Sequence, residues 1–330
     1  ESVLFFRRSR NMNIAVIGCG RWGSLITWYL DTLGHHMTLY GRRGSARMQR
    51  FMETRQNDLL TLPDSIALTH DLHCVEEAET VVISIGAQGL QKLMEELKPL
   101  NLEGKTFVLC MKGLEIGTGR RLSQIAKENL PASCHIAVWL GPGHVQEFYN
   151  GIPNCMVIDS EEDEVKHRLI SAFSGELIRF YYGSDLLGNE VGAAAKNVVG
   201  IAAGFLDGLG LSTLKGALMS RGTREVGRLI RAMGGNELSV YGLCHLGDYE
   251  ATVFSPFSHN RRFGQCFVEG KPFDKLAEGY YTVEALLDLG HRYGVELPIC
   301  QVVHDVLYEK ADPREAITTL KNRDLKGEWD

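Results

Sequence analysis

The run Ile14-Ala-Val-Ile-Gly18-Cys-Gly20-Arg-Trp-Gly23 constrains this chain more than any other feature. A short apolar segment leads straight into three glycines at G-x-G-x-x-G spacing, and a helical pattern begins at once. The first glycine permits a tight turn, the second lets the backbone approach a pyrophosphate, and the third lets the helix pack closely on the strand. The helix start adds amide donors and the positive end of a dipole. Glycines at this spacing also make purely structural turns, but the strand before and the helix after favour a dinucleotide site.

The first half keeps the rhythm that this motif starts. Strands are expected at Asn13–Ile17, Met37–Tyr40, Thr80–Ile85, Thr106–Met111, His135–Leu140, Cys155–Asp159 and Ile178–Tyr182. Helices are expected between them at Trp22–Leu33, Gly44–Thr54, Gly89–Leu97, Arg120–Asn129 and Glu162–Phe173. Such alternation predicts a mostly parallel sheet covered by helices on both faces. From about Asn189 long helical patterns take over, at Val191–Leu206, Leu214–Met233, Val283–Tyr293 and Gln301–Glu309. The expected fold class is therefore α/β, a Rossmann-like doubly wound sheet followed by an all-α domain. Residues 12–188 form the dinucleotide-binding domain and residues 189–330 the helical substrate and catalytic domain, while residues 1–11 read as a flexible extension. No long linker intervenes, so the two halves should pack directly and leave a cleft.

Composition narrows the function classes. At 44% hydrophobic and 23% charged residues the chain reads as a globular protein that remains in water. A net charge of -6 argues against a general basic surface for nucleic acid, though a local basic pocket stays possible. Eight cysteines lie scattered without a C-x-x-C pair, which is neither a zinc pattern nor a disulfide framework and suits a reducing, cytoplasmic setting. The eleven histidines lack H-x-x-x-H and H-E-x-x-H spacing, so no metal is expected. No uncharged apolar stretch is long enough to span a bilayer.

Several polar residues stand where chemistry is possible. Lys196 and Asn197 sit in Val191-Gly-Ala-Ala-Ala-Lys-Asn-Val-Val-Gly-Ile-Ala-Ala-Gly204, otherwise small and apolar. Lys196 either snorkels to water or is buried, and burial demands a partner or a lowered pKa, the condition of a lysine that trades protons. Lys112 ends the strand of Val108-Leu-Cys-Met-Lys112-Gly-Leu-Glu115, at the strand end where open α/β sheets bind ligands, or it simply leaves the sheet for solvent. Gly141-Pro-Gly143 follows another strand and either exposes amides to an oxygen or only punctuates the chain. The stretch from Asp248 through Ser258-His259-Asn260-Arg261-Arg262 suits a phosphate-bearing ligand, or is a polar loop. Glu278 is a helix-start acid or a ribose ligand. After the second strand, Gly41-Arg42-Arg43 occupies the place where an NAD-preferring site carries an acid. Guanidinium groups there suit a 2′-phosphate, which favours NADP(H) and leaves NAD(H) possible.

Taken in order, these segments resemble the NAD(P)-dependent sn-glycerol-3-phosphate dehydrogenase family. The likeness rests on Gly18-Cys-Gly-Arg-Trp-Gly23, Lys112-Gly-Leu-Glu115, Gly141-Pro142, Ala195-Lys-Asn-Val198, Arg221-Gly222, Gly242-Leu-x-x-Leu-Gly-Asp248, Ser258-x-Asn-Arg-Arg-Phe-Gly264 and Glu278-Gly279. The resemblance implies hydride transfer between NAD(P)H and dihydroxyacetone phosphate, giving sn-glycerol 3-phosphate for phospholipid synthesis. By position it implies Lys196 as proton donor and acceptor, and Lys112 as a lysine shared by substrate and nicotinamide. Gly141, Gly143, Asp248, Ser258 and Asn260 match its substrate positions. Gly18, Gly20, Gly23, Arg21, Trp22, Arg42, Arg43, Val145, Leu276 and Glu278 belong to the expected cofactor site, and His259 serves both ligands. The expected partners are a small phosphorylated substrate and a second copy in a homodimer, with neither nucleic acid nor a membrane span.

Three departures from the family pattern surround the expected cleft. Ser-Arg-Asn reads Ser258-His259-Asn260, Gly-Pro-Ser-Phe-Ala reads Gly141-Pro-Gly-His-Val145, and the segment after Gly210 reads Leu211-Ser-Thr-Leu-Lys215, one residue shorter. The first loses a permanent charge at a phosphate position. His259 is the expected partial replacement, protonated with phosphate bound and assisted by Arg261 or Arg262. A β-hydroxyacid-type dehydrogenase, a paralogue for another phosphorylated ketone and a non-catalytic dinucleotide sensor are the competing readings.

Overall fold

The computed structural model describes residues 11–324 and Gly327. The expected extension over residues 1–11 lies outside them except for Asn11. Two compact units emerge. The first comprises the chain through Met111 together with Leu122–Leu186, and the second comprises Lys112–Arg121 and the chain from Leu187 onward.

The first unit is an eight-stranded sheet in the order β3-β2-β1-β4-β5-β6-β7-β8. Its strands are β1 Asn13–Ile17, β2 His36–Tyr40, β3 Ala67–Thr69, β4 Thr80–Ile83, β5 Thr106–Leu109, β6 His135–Leu140, β7 Asn154–Asp159 and β8 Ile178–Tyr182. Every neighbouring pair is parallel except β6 and β7. Each residue of β4 and β5 is buried, as strands of a parallel sheet covered on both faces must be. The covering helices are α1 Arg21–Thr32, α2 Ala46–Thr54, α3 Cys74–Glu77, α4 Leu90–Leu97, α5 Leu122–Asn129, α6 Val145–Tyr149 and α7 Asp163–Phe173. The chain runs outward from β1 through β2 to β3 and then returns to β4 on the other side of β1. That reversal is the switch point beside which such sheets bind ligands, and it puts the Gly18 loop there.

The second unit is helical: α8 Leu186–Gly208 (its first residue still in the first unit), α9 Lys215–Ala232, α10 His259–Val268, α11 Glu278–Tyr293, α12 Pro298–Leu307 and α13 Pro313–Lys321. Helix α8 is buried at every position from Gly188 to Leu206, the mark of a helix surrounded by others. Its small residues allow this. A Cβ on Gly204 would stand 2.0 Å from the carbonyl oxygen of Arg261, so α10 crosses α8 backbone to backbone.

Residues Lys112–Arg121 are expected with the sheet, yet they group with the helices. Leu114 is fully buried in the helical core, which also holds Leu286 and Leu289. Arg121 donates to Glu190 of α8 at 2.7 Å, and Asn197 of α8 donates its amide to the Lys112 carbonyl at 3.2 Å. Among the described residues no helix is long and apolar enough to cross a membrane, and no cluster of three or more metal-ligating side chains occurs.

Candidate active site

In the first unit the glycine loop has the geometry of a phosphate-binding turn. Gly18 adopts φ +114°, and its amide donates to the Tyr40 carbonyl at 3.1 Å. A Cβ on Gly18 would meet the Ser84 carbonyl oxygen at 2.1 Å, and one on Gly23 would meet the Gly18 carbonyl oxygen at 1.8 Å. Gly20, the N-cap of α1, has open space where its Cβ would stand. That space and the positive end of the α1 dipole fit a dinucleotide pyrophosphate. Arg42 and Arg43 leave β2 exposed, as a 2′-phosphate would require. Arg21 donates to Gln146 of α6 at 3.0 Å, with burial pushing its pKa down, and Trp22 meets Phe148 edge-on at 5.9 Å. Gly141 and Gly143 hold φ +134° and +129°. Val145 opens α6 and is 1% exposed.

In the second unit two amines converge on one carboxylate. Lys196 projects from α8, and Asp248 closes the 3-10 turn Leu246–Asp248. Lys112 and Lys196 each place Nζ 2.6 Å from Asp248 Oδ2. Lys196 also donates to Thr252 Oγ1 at 2.7 Å, from the π-helical turn Glu250–Phe254. An ammonium has three donors, so these two bonds leave one for a ligand oxygen. The side chain of Asp248 is 1% exposed and that of Lys196 8%, while Lys112 reaches 17% and is the wetter amine.

Burial is the main force on Lys196 and lowers its pKa to about 8. Asp248 works in the opposite direction by favouring the ammonium, and Lys112 adds repulsion that lowers it again. Two ammoniums against one carboxylate leave the cluster positive, which suits an anionic substrate.

A hydrogen-bonded chain joins this cluster to the other candidates of the second unit. Asn197 accepts from the Asn260 amide at 3.0 Å, and Asn260 Oδ1 accepts the Gly279 amide at 2.9 Å, next to Glu278 at the start of α11. His259 Nδ1 lies 3.3 Å from the Leu276 carbonyl. Ser258 is the N-cap of α10, accepting the Arg261 amide at 3.3 Å. The stretch that also reads as a polar loop is thus a helix start. Lys112, Lys196, Asp248, Ser258, His259, Asn260, Leu276 and Glu278 fall in one unit, and the glycine-loop, arginine, Gly141, Gly143 and Val145 positions fall in the other. Arg261 is not available to phosphate in the way expected above, because its guanidinium is bonded to Asp207 and to the Ser255 carbonyl. Thr252 is the polar contact of Lys196 that sequence reasoning misses. A hydroxyl 56 positions from its lysine carries no spacing signal.

Comparison with known proteins decides the family. Residues 13–166 match the model for the NAD-dependent glycerol-3-phosphate dehydrogenase N-terminus, and residues 185–318 match that for its C-terminus. The chain belongs to the NAD-dependent glycerol-3-phosphate dehydrogenase family. It is 33% identical to the NAD(P)+ glycerol-3-phosphate dehydrogenase of Pelodictyon phaeoclathratiforme, over 97% of this chain and 100% of that one. It is 34% identical to the enzyme of that name from Desulfitobacterium hafniense, over 96% and 92%. The crystal structure of glycerol-3-phosphate dehydrogenase from Coxiella burnetii superposes with a TM-score of 0.88 at 28% identity, covering 95% of this chain and 99% of that one.

Proposed function

We infer that this member of the family interconverts dihydroxyacetone phosphate and sn-glycerol 3-phosphate with NAD(P)H. Family membership along almost the whole chain supports the reaction, and the Lys112–Asp248–Lys196 cluster supports the chemistry. The carrying observation is the buried Lys196 amine, bonded to Asp248 and Thr252 with one donor to spare and a pKa lowered to about 8. NAD(P)H, when bound at the Gly18 loop, supplies the hydride. Protonated Lys196 donates its proton to the substrate C2 oxygen during reduction, and neutral Lys196 accepts the hydroxyl proton in reverse. Lys112 stabilises charge developing on that oxygen, and Asp248 orients both amines. The substrate residues are Ser258, His259 and Asn260 in the second unit and Gly141 and Gly143 in the first. The cofactor residues are Gly18, Gly20, Arg21, Trp22, Gly23 and Val145 in the first unit and Leu276 and Glu278 in the second, and Arg42 and Arg43 take the 2′-phosphate, favouring NADP(H) over NAD(H).

We place cofactor binding in the first unit and proton chemistry in the second. The product feeds glycerophospholipid synthesis, and the setting is cytoplasmic, in keeping with eight cysteines that all remain free thiols. The working form is a homodimer, which light scattering of the purified protein tests. A paralogous ketone phosphate is the second reading, favoured only by Gly143 and His259 standing where the family pattern has serine and arginine.

The deciding experiment follows NADPH oxidation with dihydroxyacetone phosphate for the wild type and Lys196→Ala. Turnover by the wild type, and its loss by at least about a thousandfold in the variant, is expected for a proton donor. A wild type that binds NADPH and does not turn over this ketone contradicts the reading.

A further inference from the structure

Asp248 stands at the end of a single 3-10 turn, too short an element to hold a buried carboxylate by itself. Its anchorage comes from the residues on either side. His245 is fully buried, with Nδ1 2.8 Å from the Gly192 carbonyl and Nε2 2.7 Å from the Tyr249 hydroxyl. A carbonyl only accepts, so Nδ1 carries the proton and Nε2 accepts from Tyr249. The Tyr249 oxygen in turn lies 3.4 Å from Thr223 Oγ1 of α9 and accepts from it. With the ring neutral, each hydrogen bond of this network has a donor and an acceptor. Burial keeps the ring neutral, lowering His245 to about 4 against the Gly192 bond, with Lys196 repulsion added and Asp248 opposing.

The network ties the Asp248 turn to two helices at once. Gly192 lies four residues before Lys196, on the same face of α8. Its missing side chain matters, since a Cβ there would stand 3.1 Å from His245 Cβ. The His245 bond to Gly192 and the Asp248 contact with Lys196 thus hold the turn to α8 at two points one helical turn apart.

We propose that His245 is a positioning residue, which fixes Asp248 against α8 beside Lys196 with Tyr249 as its lock. The inference rests on the glycerol-phosphate reading for its effect on turnover. A merely structural His245 would lower the melting temperature and leave the chemistry alone. A positioning His245 also alters the proton affinity of Lys196, whose charged neighbours are Asp248 and Lys112. Once Asp248 is loosened, less holds the proton on Lys196, and the limb where activity falls moves to lower pH.

Three variants test this: His245→Ala, His245→Asn, whose amide keeps a donor near the position of Nδ1, and Tyr249→Phe, which removes only the hydroxyl. His245→Ala should lower kcat about tenfold or more with KM for dihydroxyacetone phosphate within about threefold. Its basic limb should fall by about half a pH unit or more. His245→Asn should recover most of the loss, and Tyr249→Phe should show a smaller loss of the same sign. If His245→Ala does not fold, Tyr249→Phe decides. Wild-type kcat and an unmoved limb in a folded variant, whatever its melting temperature, overturn the inference. The pH dependence of Lys196 labelling by an amine-directed reagent, read by peptide mass spectrometry, follows the same shift without turnover. A wild type inactive on this ketone would overturn the proposed reaction, while an unmoved labelling curve overturns the role of His245.

Discussion

Lys112 and Lys196 meet the same oxygen of Asp248, each at 2.6 Å. One carboxylate therefore positions both amines and favours the charged form of Lys196, and removing Asp248 or Lys112 should move the Lys196 pKa in opposite directions. Asp248→Asn withdraws the charge that favours the ammonium, so the basic limb of the pH profile drops below that of the wild type. It also leaves the buried Lys196 ammonium without its counter-charge and facing Lys112, which costs about 3–5 kcal/mol and should lower kcat at least about a hundredfold. Lys112→Met removes repulsion, so the limb should rise, and KM for the ketone phosphate should rise with it. Rate profiles of the two variants in one buffer series check both signs.

Arg42 and Arg43 extend from the end of β2 into solvent. Charge-assisted bonds to a 2′-phosphate are worth about 1.5–3 kcal/mol. The double variant Arg42→Ala/Arg43→Ala should raise KM for NADPH about tenfold to a hundredfold and change that for NADH less than about threefold. Steady-state titration of each cofactor measures the ratio.

His259 begins α10, close to the Leu276 carbonyl. An arginine there would restore a permanent charge and a bidentate fork for phosphate. His259→Arg should lower KM for dihydroxyacetone phosphate about tenfold, with the largest gain at high pH, where an imidazole is neutral. An unchanged or higher KM rejects a phosphate-facing role.

Glu225 of α9 is fully buried and accepts the amides of Ile299 and Cys300 at 2.8 and 3.0 Å, capping α12. Burial outweighs those donors and raises its pKa from 4.5 to about 7. A carboxyl with a raised folded-state pKa contributes stability that is full below its unfolded value and is lost as pH climbs through the folded one. Glu225→Gln cannot ionise and keeps an acceptor. Its stability relative to the wild type should therefore improve between pH 5 and pH 8, by up to about 3 kcal/mol. Melting curves at the two pH values test the sign.

The fold was legible where physics acts locally. Strands β1, β6 and β8 have the bounds read from the sequence. Strand β3 escapes because it has three residues, of which only Leu68 is a large apolar side chain. Helix α10 is disguised by a first turn of Ser258-His259-Asn260-Arg261-Arg262, although Phe263 and Phe267 carry helical spacing. Helix α6, five residues long, hides behind the Gly-Pro-Gly turn. The site was harder. Lys196 stands out as the one charge in an apolar run, but its partners come from positions 112, 248 and 252, and only the fold brings them together. The commitment of Arg261 to Asp207 was invisible for the same reason, since the two residues are 54 positions apart.

The proposed mechanism has Lys196 give up its proton at a pH near its lowered pKa of about 8. The pH dependence of kcat for dihydroxyacetone phosphate reduction by the wild-type enzyme reads this directly. Burial places the Lys196 pKa at about 8, so the rate should be level below that value and fall about tenfold per pH unit above it. Oxidation of sn-glycerol 3-phosphate should rise through the same point. A reduction rate that stays level to pH 10 would contradict Lys196 as the proton donor.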